Sequence, residues 1–172
     1  RAIGVAAKAS AGTEGEVVIL TSYAAGVSAF GEDETPGMST MLRLLFANGA
    51  STVAAIRVAE AGEVADYQAA FDALGRQDVQ IVVCDSTDEA VHQSLRTAVE
   101  TASASRKERI GVVGGSGEEA SALVEHAAAL NSERMVLVGP DVLDEAGETL
   151  PGAFAAAALA GVIASNTDPA VP

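Results

Sequence analysis

The sequence predicts an α/β fold: a largely parallel sheet of four or more strands flanked by helices, with two extra N-terminal strands at its edge. Three observations carry this expectation. From residue 52 onward, short runs of apolar and β-branched residues alternate with segments of helical length. Those runs are apolar at consecutive positions, the pattern of strands buried on both faces. The segments between them are long enough for crossover helices, which parallel strands require.

Taken in chain order, residues 2–9 and 17–21 read as short strands joined by a polar, glycine-containing turn at 10–15. Residues 23–30 and 38–47 read as helices separated by the polar loop 31–37. Residues 52–58 form the first strand of the regular pattern. A helix follows over 63–77, with Val64, Tyr67, Phe71 and Leu74 at helical spacing and Gly75 as its stop signal. The second strand is 79–85. Ser86 and Glu89 have the spacing of a capping box, which predicts a helix from there to about Ser105. A strand at 109–114, a helix at 118–130, a strand at 134–139 and a helix at 151–165 complete the series. The whole chain, 1–172, reads as one domain, with an N-terminal segment (1–51) and a repeating core (52–166).

Composition excludes several function classes. Of 172 residues, 49% are hydrophobic and 20% charged, so a real core can form. Ten Lys and Arg face 24 Asp and Glu, a net charge of −14. Such a field repels nucleic acid and anionic membranes. Without Trp, and with 3% aromatics, the chain has little material for base stacking. One Cys excludes an internal disulfide and a cysteine-based zinc site. Residues 1–11 lack the apolar core of a signal peptide, and the longest apolar stretch, 154–164, is too short to span a bilayer.

The sharpest motif is Gly115, Gly117 and Ala120, spaced as G-x-G-x-x-G/A after a strand, with Asp141 placed to hold a ribose. However, Glu118 and Glu119 stand where phosphates would sit, and no Lys or Arg is near. A tight strand-to-helix turn, with both acids favoured by the helix dipole, explains the same residues. Asp85, Asp88 and Asp141 fall at strand carboxyl ends, where a divalent cation could bind. Asp85 and Asp88 are equally well placed to start a helix. Cys84 sits within an apolar strand and reads as a buried, inert thiol. His92 and His126 lie in separate helices without a paired nucleophile. The basic cluster of Arg106, Lys107 and Arg109 sits at a helix C-terminus, where the dipole favours it. These readings give no catalytic, cofactor-binding or metal residues, and no cofactor.

A different pattern runs through nearly the whole chain. It opens with the strand from Ile3 to Ser10, followed by a strand ending in Thr21, Ser22 and Tyr23, then Phe30-Gly31 closing a short helix. A helix from Leu42 ends in Asn48-Gly49 and runs into a strand ending in Arg57-Val58. Later come Arg106 to Val113, Ala129 to Val138 with Pro140, and the Ala-rich helix leading to residues 167–172. This order resembles the conserved domain of contractile tail sheath proteins of myophages and related prophage or bacteriocin-like particles. It departs from that pattern after Arg57-Val58, where many members carry an inserted domain and this chain has only residues 59–62.

The resemblance implies a structural subunit that polymerises with itself around a tail tube. Contraction would proceed by rigid-body rearrangement, without bond chemistry. It implies tube, baseplate and tail terminator proteins as partners, and a location in the virion tail, with assembly in the host cytoplasm. Nucleic acid and membrane are not implied. The family's terminal arms and C-terminal domain are expected to lie outside residues 1–172. Two other readings remain at this point. One is a nucleotide-binding enzyme using Gly115, Gly117, Ala120 and Asp141. The other is a regulatory α/β module, which needs an apolar pocket at the strand carboxyl ends.

Overall fold

The computed structural model describes residues 1–117 and 119–166. The strands are β1 (Ile3–Ala7), β2 (Val17–Leu20), β3 (Val53–Arg57), β4 (Ile81–Cys84), β5 (Ile110–Gly114) and β6 (Met135–Val138), with the short β7 (Val142–Leu143) and β8 (Thr149–Leu150). The helices are α1 (Tyr23–Phe30), α2 (Met38–Ala47), α3 (Val64–Leu74), α4 (Glu89–Ala104), α5 (Ala120–Leu130) and α6 (Gly152–Ser165). The first six strands form one sheet in the order β2-β3-β1-β4-β5-β6. Only β2 runs antiparallel to its neighbour.

Two apolar layers hold this sheet between helices. Phe30, Met38, Met41, Leu42 and Leu45 from α1 and α2 join Phe154 and the alanines of α6 on one face. Tyr67, Phe71 and Leu74 of α3, with Val91, Leu95 and Val99 of α4, cover the other. Ala153, Ala156, Ala157, Ala160 and Ala164 are all buried on α6. That explains why the helix is alanine-rich: small side chains at i, i+3, i+4 and i+7 let it lie close against α2 and the sheet. No helix among the described residues is long and apolar enough to cross a membrane.

The structure corrects the expected position of one strand. β2 does edge the sheet, but β1 lies inside it, pairing in parallel with β3 on one side and β4 on the other. All five of its residues are buried. Ile3, Val5 and Ala7 face the α2–α6 layer, and Ala6 faces the α3–α4 layer. The continuous apolar run of β1 is itself the mark of a strand covered on both faces. The irregular order of the first 51 residues masked it, because the chain visits the edge strand and two helices before returning to β3.

Local signals also shifted. Asp88, not Ser86, caps α4, accepting from the Ala90 N–H at 2.8 Å, while the Ser86 hydroxyl accepts from the Asp88 N–H. Asp88 immediately precedes the first helical residue and so reaches the orphan amide, whereas Ser86 lies two residues further upstream. A capping box does form one helix earlier, between Glu63 and Asp66 of α3. Helix α5 begins at Ala120; Glu118 and the 167–172 segment lie outside the described residues. The β7–β8 hairpin was not anticipated, since two-residue strands carry no readable period.

Candidate functional site

The residues of the dinucleotide-like motif come together at the carboxyl end of β5, and the geometry shows what they do there. The Gly115 N–H donates to the Val138 carbonyl at 2.9 Å, and the Gly115 carbonyl accepts from the Gly152 N–H at 2.8 Å. A Cβ on Gly114 would land on the main chain of Gly152 and Ala153, the first turn of α6. The main-chain groups of Gly115 are thus taken up by β6 and α6. Gly117 takes a left-handed φ of 52°, and its turn faces the Asp141 carboxylate. Gly114 and Gly115 thus allow a backbone-to-backbone approach between β5 and α6.

Asp85 and Asp88 are engaged locally, whereas Asp141 Oδ1 is buried without a hydrogen-bond partner among the described residues. Asp85 accepts from the Lys8 N–H at 3.0 Å and from the Tyr67 hydroxyl at 2.5 Å. Burial raises the Asp85 pKa from the usual carboxylate value, against the two hydrogen bonds that favour its charge. Burial, with the neighbouring Asp85 charge, also drives the Tyr67 hydroxyl upward. Asp88 is the α4 cap already described. A cleft of about 530 Å³ does open at the carboxyl ends of β1 and β4. Its rim carries Lys8, Glu32, Asp33, Glu34, Glu60 and Asp85, so it lacks the apolar lining of a small-molecule pocket. Asp33 is also engaged, accepting from the amides of Gly37, Ser39 and Thr40 at the start of α2. Cys84 is fully buried, and desolvation with the adjacent Asp85 charge pushes its thiol up, so it is not poised as a nucleophile.

Two arrangements were not legible as such. His92 and His126 are both buried and stack with ring centroids 4.9 Å apart, His92 Nδ1 lying 2.9 Å from His126 Nε2. His92 Nε2 is 2.8 Å from the Ser86 carbonyl. A carbonyl only accepts, so His92 Nε2 carries the proton and the neutral Nδ1 accepts from His126 Nε2–H. The signal was present: His92 shares the core face of α4 with Leu95 and Val99, as His126 shares that of α5 with Leu130. The second arrangement is Arg109. It is buried, and its guanidinium donates to the carbonyls of Leu74 and Gln77 at 3.2 and 3.4 Å. It closes the C-terminus of α3, not that of the helix preceding it in sequence.

Neither arrangement brings a nucleophile within reach of a base, and the Arg109 guanidinium is committed to the main-chain carbonyls at the end of α3. Among the described residues, no three His, Cys, Asp or Glu side chains group as metal ligands. Asp85, Asp88, His92, His126 and Arg109 hold elements of the fold to one another, and the functional reading passes to the fold itself.

Comparison with solved structures identifies that fold. A sheath tail protein from Desulfitobacterium hafniense superposes with a TM-score of 0.74 at 12% identity, over 95% of this chain and 58% of its own. A sheath tail protein from Listeria innocua gives 0.71 at 13% identity, over 96% and 56%. The helical sheath of the anti-feeding prophage in its contracted state gives 0.64 at 19% identity, over 94% and 45%. The chain thus spans about half the length of these proteins. No curated protein sequence matches it. The sequence profile described as the phage tail sheath protein central domain does match, over residues 61–172, well over half of the chain. On that match, the chain belongs to the phage tail sheath protein family.

Proposed function

We propose that residues 1–172 are the core domain of a structural subunit of a contractile phage-type tail sheath, and that this subunit is not an enzyme. The observation that carries this reading is the profile match over 61–172, to which the sheath-like fold of nearly the whole chain adds support. Copies of the subunit would polymerise in a helical stack around the tail tube, meeting the baseplate at one end and a terminator protein at the other. Assembly would take place in the host cytoplasm and leave the protein in the tail of a phage or phage-like particle. Work would come from rigid-body movement between two packing states, each copy keeping its fold. A tightly packed α/β body with helices on both faces suits that role, because close-packed interiors transmit force with little internal deformation. The nucleotide-binding reading loses its support, since Gly114 and Gly115 serve the close approach of α6 to β5 and the Gly115 N–H bonds to β6.

Deletion of the gene in a producing strain tests the proposal. The expected particles carry bare, thin tubes that still attach to baseplates but have lost the outer layer and the shortened state. Particles with an intact contractile outer layer would remove the proposal.

A further inference from the structure

Charge is distributed along the strand axis with pronounced asymmetry. At the amino end of the sheet lie Arg1, Arg76, Arg106, Lys107, Arg109 and Arg134, against Asp78, Glu108 and Glu133. At the carboxyl end, the described connections (8–16, 31–37, 58–63, 85–88, 115–117 with 119, and 139–151) hold fourteen acidic side chains and a single base, Lys8. Arg57, the last residue of β3, also reaches the carboxyl end and pairs with Glu14 there, yet that end remains strongly negative while the amino end is positive.

Shape follows the same axis. At the amino end, the α3–β4 and α4–β5 connections enclose a groove of about 430 Å³ between residues 76–80 and 106–109. Arg76, Arg106 and Lys107 are exposed beside it. At the carboxyl end, the β7–β8 hairpin carries Asp144, Glu145 and Glu148 around its turn. Its Leu143 is 70% exposed, the most exposed of the large apolar side chains among the described residues.

The geometry points to a head-to-tail contact between two copies of this chain, in which the β7–β8 hairpin of one seats in the basic amino-end groove of the next. This inference rests on the reading of the chain as a polymerising subunit and names one contact surface for it. The occupant is argued from charge complementarity. A negative end and a positive end on one molecule attract only when copies point the same way; carboxyl end against carboxyl end is repelled. The contact is heterologous, using two different surfaces, and therefore generates an open helical stack. Exposed ion pairs contribute little individually, so the charges mainly set direction and register, and a lattice sums many such contacts. Screening over about 10 Å at 0.1 M salt makes the contact salt-sensitive.

Cysteine cross-linking on the gene product carrying this chain tests it, the buried Cys84 leaving added thiols as the reactive ones. Glu145→Cys protein mixed with Lys107→Cys protein is treated with a short bis-maleimide. Cross-linking is expected at least tenfold faster than for Glu145→Cys protein alone. It should fall to that background with Arg76→Glu and Arg106→Glu added to the Lys107→Cys protein, and return when Asp144→Lys and Glu148→Lys are added to the Glu145→Cys protein. Circular dichroism confirms that each variant is folded. Equal rates for the mixed and single proteins, hairpin-to-hairpin cross-links in excess, or no rescue by the paired reversal would overturn the inference. Tubes that form without the cross-link would sink this contact and leave the proposed function standing. Cross-linking without tubes would do the reverse.

Discussion

Gly114→Val is expected to destabilise the protein by more than about 3 kcal/mol, enough to leave it largely unfolded if its stability is ordinary. The added side chain would begin at a Cβ lying on the main chain of Gly152 and Ala153. Neither atom set belongs to a flexible side chain that could swing away. Relief requires α6 to lift off β5, and α6 brings Phe154, Ala156, Ala157 and Ala160 into the core with it. Exposing even part of that layer forfeits about 25 cal/mol for each Å² of apolar surface. Ala128→Val, at an exposed position of α5, gives the comparison, since it adds the same two methyl groups to a Cβ that is already accommodated. That change should lower stability by about 0.5 kcal/mol, from helix propensity alone. Urea denaturation followed by circular dichroism separates the two, and similar midpoints would refute the close-approach account of the motif.

Acid should weaken the protein through the His92–His126 pair. Burial, with the His126 ring beside it, holds the His92 pKa down to about 4, although the Ser86 carbonyl and Asp88 favour its charge. In the unfolded chain the same group titrates near its ordinary value of 6.5. Between these two values the unfolded state binds more protons, so stability rises with pH. The contribution is complete above about pH 6.5 and is lost as pH falls through about 4. The pKa difference corresponds to about 3 kcal/mol. The structural reason is that the neutral pair needs one proton between the rings. A second proton would set two N–H donors against each other and leave a positive charge within a stacked, buried contact. His92→Gln should flatten the pH 4–7 stability profile relative to wild type, the carboxylates contributing alike to both proteins. Parallel profiles would show that the pair is not the group responsible.

The regular part of the fold was legible in the sequence because each of its elements is locally consistent. Val64, Tyr67, Phe71 and Leu74 mark α3, and the apolar runs of β4 and β5 are bounded by capping and turn residues. The position of β1 was not legible, since strand order depends on where later strands pair, and a five-residue run carries no record of its neighbours. The glycine motif shows the opposite failure. Gly115 and Gly117 have the spacing of a nucleotide loop, but the same freedom from a Cβ also serves close packing of a helix. Only the position of Gly152 distinguishes the two uses. His92 and His126 lie 34 residues apart, and the sequence places each on a core face without showing that the faces meet. Arg109 likewise looked like the cap of its own helix, whereas its side chain crosses to the end of α3. What the sequence carried beyond local structure was the family order of short motifs, which the profile over 61–172 supports.

The central claim is that this chain is built to be one repeating body in a sheath. Helical reconstruction by cryo-electron microscopy of the assembled, purified gene product tests it most directly. The account predicts hollow tubes in which a six-stranded α/β domain, with sheet order β2-β3-β1-β4-β5-β6, fits the density of every repeat as a rigid body. Protein that stays monodisperse under all assembly conditions and binds a nucleotide beside Gly115 would contradict it.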